Sequence, residues 1–199
     1  MKKTLSVLAV LLLLLTQKTH AQLEKGNVLV GADMANFRIA LKAGQLTELQ
    51  ITPRAAWFIK DNVAIGPYVG LDYSAVKDSY DKFVYGVGGF GRYYVNKPNL
   101  SPLKHGLFFG EVNAGIGGTN FNGKTPENPD YSTNGLDLGF GAGYAYFITT
   151  NISFETLLKY NGTLGFGQEA YTNYLNLALG FAIYLPGKST MHKVENDVK

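Results

Sequence analysis

The side chains that could carry out acid–base or nucleophilic chemistry are few and far apart in this sequence. A hydrolytic site needs a histidine beside a serine or a carboxylate. Of the three histidines, His20 lies in an N-terminal segment that we expect to be removed, His105 at a predicted turn and His192 in the C-terminal tail. An acid–base pair among loop carboxylates stays open, since the sequence does not fix their geometry: Asp78, Asp81, Glu127, Asp130 and Glu169. We predict no catalytic residue and no enzyme.

Sequence motifs for ligand binding are equally weak. The chain has no cysteine, so it offers neither a disulfide framework nor a thiol nucleophile. The glycine-rich run from Gly86 to Gly91 does not precede a predicted helix, as a nucleotide-binding loop would. One predicted loop is rich in oxygen ligands, although its spacing is not that of an EF-hand: Asn120, Asn122, Glu127, Asn128 and Asp130. We expect a hydrophilic loop there, and we predict neither a metal nor a cofactor.

Most charged side chains follow a spacing of two. Successive side chains of a β-strand point to opposite faces of the sheet. In each predicted strand the charges fall on the face opposite an apolar stripe: Asp33, Glu48, Arg54, Asp72, Arg92, Glu111, Asp137, Glu155 and Lys159. The last strand is the clearest, because every second residue from Leu175 to Leu185 is apolar.

This alternation divides the chain into eight predicted strands. They are Gly26–Phe37, Leu46–Phe58, Val63–Tyr73, Phe83–Tyr94, Gly106–Gly117, Leu136–Phe147, Ile152–Tyr160 and Tyr174–Leu185. Strands of about ten residues can cross a bilayer at a tilt, whereas strands of soluble proteins are usually about five or six residues long. We therefore predict an all-β fold, an eight-stranded antiparallel up-and-down transmembrane β-barrel. A soluble β-sandwich is the alternative, since it would show the same period.

The predicted connections differ in length. Tight turns lie at 60–62 and 149–151, and longer polar segments lie at 75–82, 118–135 and 161–172. Outer-membrane barrels place short turns in the periplasm and long loops outside. Two segments depart from this rule, a long one predicted on the periplasmic side and a short one predicted outside: 96–104 and 40–45.

Paired aromatic residues come just before three of the predicted turns. Aromatic rings are favoured at a membrane–water boundary, where one end of the ring is apolar and the other is wet. The pairs therefore predict a periplasmic aromatic girdle: Trp57, Phe58, Tyr93, Tyr94, Tyr146 and Phe147.

The first 21 residues have the three parts of a secretory signal peptide. Lys2 and Lys3 precede an apolar run from Leu5 to Leu15, and Ala21 ends a small-residue cleavage site. That run is too short to span a bilayer core of about 30 Å. We predict a cleaved signal peptide, a barrel and a short polar tail: residues 1–21, 22–185 and 186–199.

Removal of the signal peptide changes the charge balance. Three of the 18 basic residues leave with it, so the remainder equals the 15 acidic residues and the exported chain is formally neutral. A basic isoelectric point therefore gives no reason to expect a nucleic-acid partner. The 24 glycines, 13 tyrosines and 12 phenylalanines suit a barrel with aromatic boundaries.

With these patterns the sequence resembles the small eight-stranded outer-membrane barrels, the class containing outer membrane protein X and the membrane domain of outer membrane protein A. The resemblance covers residues 26–185 and includes the strand ending Gly89-Phe90-Gly91-Arg92-Tyr93-Tyr94. Gly180, Ile183 and Leu185 resemble the signal read by the barrel-assembly machinery, although Leu185 replaces the usual aromatic residue. The resemblance implies a monomer in the outer membrane of a Gram-negative-type bacterium, surrounded by outer-membrane lipid and inserted by that machinery.

A barrel of eight strands is just wide enough for side chains to fill its interior. The polar residues predicted to point inward would form a plug: Gln50, Arg54, Asp72, Arg92, Glu111, Asn113, Glu155 and Lys159. The charges among them must be paired, because an isolated buried charge is costly. The alternative is a narrow conducting path or a proton-linked gate through this plug.

Three functions are compatible with this sequence. We favour a structural or surface-interaction role in which outer-loop aromatic residues contact an unknown extracellular partner: Tyr80, Phe121, Tyr131, Phe166 and Tyr171. The simpler interpretation of these five residues is an outer aromatic girdle. The alternatives are a small porin-like channel or transporter and a lipid-modifying outer-membrane enzyme.

Overall fold

The computed structural model describes residues 23–42, 44–95, 105–166 and 171–187. Its eight strands are β1 Val28–Arg38, β2 Leu46–Lys60, β3 Val63–Val76, β4 Tyr80–Val95, β5 Gly106–Gly123, β6 Tyr131–Phe147, β7 Ile152–Gly165 and β8 Tyr171–Leu185. Each strand is antiparallel to the next, and β8 pairs with β1 to close the barrel. The predicted all-β, eight-stranded up-and-down barrel is confirmed. In the described part of the chain, no helix has the length and apolar character needed to cross a membrane.

The two ends of the barrel differ. The terminal end, as we call it, is where β1 begins and β8 ends, and it also carries the turns at 61–62 and 148–151. The distal end carries the connections at 77–79 and 124–130. At the terminal end, the carbonyl of Leu23 accepts a hydrogen bond of 2.8 Å from the backbone nitrogen of Asn62. The buried side chain of Leu23 joins the apolar cluster inside the barrel and covers this end of the lumen.

Several strands continue further toward the distal end than the sequence pattern predicts. Tyr80 at the start of β4 pairs with Gly123, and Tyr131 at the start of β6 pairs with Phe121. The backbone ladder therefore continues where the apolar alternation stops, because main-chain hydrogen bonds do not depend on side-chain polarity. The long loops predicted between β3 and β4 and between β5 and β6 are wrong in length.

An apolar belt surrounds the outer face of the barrel. Every second strand residue points away from the lumen, and large apolar side chains on this face are exposed: Val30, Met34, Ile65, Val69, Val87, Val112, Ile116, Phe140, Leu158, Leu177, Leu179 and Phe181. A soluble monomer rarely exposes a contiguous apolar patch above a few hundred Å². The outer surface is therefore the kind of surface that a lipid bilayer covers.

Two facing glycines allow β4 and β5 to pass close to each other on the lumen side. Gly88 pairs with Gly115. A Cβ atom at Gly88 would overlap the backbone oxygen of Ala114, and one at Gly115 would overlap the backbone oxygen of Val87. This strand pair therefore depends on the absence of both Cβ atoms, as expected where a sheet coils strongly into a small barrel.

We expect Gly88→Ala to lower the free energy of unfolding by about 1–3 kcal/mol, because the added methyl group forces the two backbones apart. Gly110→Ala is the matched control, since a Cβ atom at Gly110 meets no atom within 4 Å. Urea unfolding of both variants in lipid vesicles measures the difference. Equal stability of the two variants would contradict the close approach.

Candidate functional site

Three basic and three acidic side chains meet in the middle of the lumen. They lie on the inward faces of five strands, and their formal charges cancel: Asp33, Arg54, Arg92, Glu111, Glu155 and Lys159. We call this group the ionic layer. Every carboxylate in it has at least one cationic partner, as the cost of burying a charge requires.

Arg92 is fully buried in the ionic layer, as is its partner Glu155. Its Nη2 lies 2.7 Å from Glu111 Oε2, and its Nη1 lies 2.7 Å from Glu155 Oε2. Arg92 and Glu111 are direct cross-strand partners in β4 and β5. The guanidinium carbon also lies 3.9 Å from the centre of the Phe109 ring. A planar guanidinium can form these ion pairs and stack on a ring at once, whereas a lysine cannot.

Glu111 forms ion pairs with basic side chains from three other strands. Arg54 Nη1 lies 2.8 Å from Glu111 Oε2, and Lys159 Nζ lies 3.1 Å from Glu111 Oε1. Arg54 also forms an ion pair with Asp33 through Nη2. The same nitrogen lies 3.7 Å from Glu155 Oε2. The ionic layer thus links β1, β2, β4, β5 and β7 across the lumen.

An aromatic floor lies between the ionic layer and the terminal end. Its rings are buried, and neighbouring centres lie 5.2–6.3 Å apart: Phe58, Tyr94, Phe109, Phe147 and Tyr184. The hydroxyl of Tyr94 accepts a hydrogen bond of 3.0 Å from Arg92 Nη1. The hydroxyl of Tyr184 donates one of 3.1 Å to Glu155 Oε1. The floor is therefore bonded to the charges above it and blocks the lumen below them.

Three of the six residues predicted to form the periplasmic girdle do not face outward. Trp57, Tyr93 and Tyr146 are exposed on the outer face of the terminal end, with 53%, 57% and 39% of their surface accessible. Their neighbours on the strand point inward and belong to the aromatic floor: Phe58, Tyr94 and Phe147. Adjacent residues of a strand point to opposite faces, so only one member of each pair can face lipid.

A polar cavity of about 70 Å³ lies on the distal side of the ionic layer. We call it the vestibule. A buried water needs about 10–15 Å³ of such space, so the vestibule has room for several. Three residues predicted to belong to the plug line it and lie outside the ionic layer: Gln50, Asp72 and Asn113. The predicted plug thus divides into a charged layer and a polar chamber above it.

Asp137 anchors the hydrogen bonds of the vestibule wall. Its Oδ2 accepts a hydrogen bond of 2.5 Å from the hydroxyl of Tyr68 and one of 3.1 Å from Nδ2 of Asn113. Both donors are neutral, so these bonds hold the carboxylate in place without cancelling its charge. In the described residues, no group of three His, Cys, Asp or Glu side chains could hold a metal ion.

The aromatic residues predicted to lie in outer loops have different positions. Phe121 stacks between Tyr80 and Tyr131, with ring centres 5.2 and 4.9 Å away, so these three belong to strand ends rather than to free loops. Phe166 directly follows β7 and is 90% exposed. Tyr171 begins β8, and its side chain lies outside the described residues, as do the predicted signal peptide and all but two residues of the predicted tail.

Several residues of the site were not among the predicted plug residues. Asp33 and Asp137 have the inward parity that the sequence pattern showed, whereas Tyr68, Phe109 and Tyr184 could have been found by extending that parity to aromatic residues. Ser153, which donates a hydrogen bond of 3.1 Å to Glu155 Oε1, has the same inward parity as Glu155 and could also have been found in this way.

The fold is similar to that of solved outer-membrane barrels. Neisserial surface protein A superposes with a TM-score of 0.57 at 15% identity, over 79% of this chain and 95% of that protein. This chain has the fold of the small outer-membrane β-barrels. The attachment invasion locus protein of Yersinia pestis gives a TM-score of 0.49 at 12% identity, over 81% of this chain and 99% of that one. The β-barrel domain of Pseudomonas aeruginosa OprF gives 0.43 at 17% identity, over 81% and 98%.

Comparison at the level of sequence adds nothing to the small-barrel fold. No protein-family model matches the chain, and no curated protein matches it.

We expect Arg92→Leu to lower the free energy of unfolding by about 3–5 kcal/mol, because it leaves the buried Glu155 with only the 3.7 Å contact to Arg54 and removes one of the three cations around Glu111. Replacing Arg92 and Glu155 together should cost less than the sum of the single changes. The control is Lys124→Ala, which breaks an exposed ion pair with Asp81 and should have little effect because water screens that pair. Urea unfolding of the four variants measures these differences, and strict additivity would argue against coupling in the ionic layer.

Proposed function

We propose that the protein is an outer-membrane β-barrel with a side-chain-filled lumen and a structural or surface-interaction role carried by its distal end. The observation that supports this proposal is the double seal of the lumen. The ionic layer and the aromatic floor lie one above the other, and both are buried. A barrel closed in this way offers its distal surface to partners rather than a wide passage to solutes.

We propose that the terminal end faces the periplasm and the distal end faces outward. A cleaved signal peptide of residues 1–21 would release the chain at the terminal end, where β1 begins. Trp57, Tyr93 and Tyr146 lie on the outer face of that end and would mark the periplasmic boundary of the bilayer. Insertion by the barrel-assembly machinery and a monomeric state belong to the same proposal.

For the surface role, we propose that the contacts are made by the distal rim, which comprises the connection at 124–130, the neighbouring turn at 77–79 and Phe166. The connection at 124–130 is fixed to the neighbouring turn, since the backbone nitrogen of Lys124 donates a hydrogen bond of 2.8 Å to the carbonyl of Ser79. The hydrogen bond to Asp81 raises the pKa of Lys124, so this lysine stays charged at neutral pH. Phe166 adds an exposed aromatic ring. A rigid rim that combines charge with an aromatic ring is suited to contact with another surface.

The membrane location can be tested on the apolar belt. Val112→Arg places a charge on the outer face in the middle of β5, where we expect a loss of about 2–4 kcal/mol if that face meets the bilayer core. Asn120→Arg lies on the same face nearer the distal end and should cost only about 0–1 kcal/mol. Unfolding in phospholipid vesicles measures both variants. A harmless Val112→Arg, with protein soluble in the absence of detergent, would exclude the membrane location.

The surface role can be tested by loop exchange. Residues 124–130 are replaced by a glycine–serine loop of equal length, and bacteria producing either protein are assayed for binding to immobilised glycans and matrix proteins. We expect the wild type to bind one of these surfaces and the exchanged loop to lose it. An exchange of residues 148–151 at the terminal end is the control, and both must keep the band shift between unboiled and boiled gel samples. Binding no better than that of cells without the protein would leave only the structural role.

A small channel is the second candidate function, and the vestibule favours it. The vestibule is a polar chamber inside the lumen, and the ionic layer, the aromatic floor and Leu23 lie between it and the terminal end. Recording in a planar bilayer decides between the candidates. Reproducible open steps that disappear in Arg54→Ala or Glu111→Ala would support conduction over a sealed plug.

The lipid-modifying alternative has less support, since His105 lies at the terminal end of β5. Altered lipid A in a deletion strain would support this alternative.

A further inference from the structure

The vestibule contains negative charge that the ionic layer does not neutralise. Four charged residues line it, and two of them are paired, Asp33 with Arg54 and Lys159 with Glu111. Asp72 and Asp137 form no ion pair with any residue that the structure describes. Lys82 and Glu48 act on Asp72 electrostatically with opposite signs, so their effects oppose each other. A chamber of this kind attracts a cation.

One buried hydrogen-bond acceptor beside the vestibule also lacks a donor. Asn113 is 6% exposed, and its Oδ1 has no hydrogen-bond partner, although its Nδ2 bonds to Tyr68 and Asp137. A Cβ atom at Gly139 would overlap both Asn113 Oδ1 and Asn161 Oδ1, so the two amide oxygens approach the same point of the lumen. A buried acceptor without a donor costs free energy, and a ligand with N–H groups would supply the donor.

We propose that the vestibule binds a free small primary amine as its ammonium ion. The ammonium group has three N–H donors, which match the carboxylate of Asp137 and the amide oxygen of Asn113. The chamber already holds one ammonium group in a similar setting, since Lys159 Nζ lies 5.7 Å from the centre of the Tyr68 ring. Tyr68, Tyr174 and small apolar residues complete the wall and suit a short alkyl chain.

The structure favours an amine over a metal ion and over a lipid head group. A divalent metal needs several oxygen or nitrogen ligands at fixed distances, and in the part of the chain that the structure describes no three acidic, histidine or cysteine side chains are placed to supply them. A lipid head group would approach from the outer face, whereas Asp137, Asn113 and Tyr68 point into the lumen. The cavity of about 70 Å³ limits the ligand to a few non-hydrogen atoms.

The test is an NMR titration of the ¹⁵N-labelled full barrel in detergent micelles at pH 7. The probe is ethylammonium chloride, ethanol is its neutral analogue, and magnesium chloride is the metal alternative. We expect saturable shifts at the amides of Tyr68, Asn113 and Asp137 with ethylammonium only. Equal shifts with ethanol, shifts with magnesium alone, or no saturable shift would each overturn the proposal.

Two variants locate the binding site. Asp137→Asn removes the charge without changing the shape and should weaken ethylammonium binding about tenfold, since hydrogen bonds to charged groups are the strong ones. Gly139→Ala places a methyl group where the two amide oxygens converge and should abolish binding. Glu127→Gln makes the same charge change on an exposed loop residue outside the vestibule and should leave binding unchanged. The gel band shift shows that each variant is folded, and a folded Asp137→Asn with wild-type affinity would refute the assignment.

Discussion

The ion pairs of Arg92 with Glu111 and Glu155 are the constraint on which the interior of this barrel depends. Eight strands enclose a lumen too narrow for bulk water to solvate the charges at its centre, so each charge needs a protein partner. Arg92 meets this need with two carboxylates and an aromatic ring. The hydroxyls of Tyr94 and Tyr184 then connect these charges to the aromatic floor. The same set of contacts therefore compensates the buried charges and closes the lumen.

The two ends of the lumen differ in the side chains that line them. Below the ionic layer, aromatic rings and Leu23 fill the lumen. Above it, polar side chains line much of the lumen, and the vestibule remains open with two carboxylates that form no ion pair with a cation among the described residues. The lumen is thus asymmetric, closed at the terminal end and negatively charged toward the distal end. That asymmetry is what connects the proposed surface role at the distal end with the proposed amine site just beneath it.

The outer face obeys a separate rule. The hydrocarbon core of a bilayer does not form hydrogen bonds, so a spanning sheet must close on itself and present apolar side chains outward. The pairing of β1 with β8 meets the first condition, and the belt that includes Val112 and Phe140 meets the second. Beyond the belt the strands continue as polar ladders, because water can then solvate their side chains. The length of the strands and the height of the belt are thus independent, and the sequence pattern revealed only the belt.

The sequence by itself determined the number of strands, their approximate limits at the terminal end and which residues point inward. All of these follow from a period of two that is visible along the chain. The aromatic pairs at 57–58, 93–94 and 146–147 show that the period had to be applied to every residue, since one ring of each pair lies in the lumen. Tertiary structure alone decided which inward residues meet. Arg54 and Glu111 lie on strands that are not neighbours, so no strand register relates them. Their contact exists because the sheet closes into a narrow cylinder, and that closure brings opposite walls within reach of a side chain.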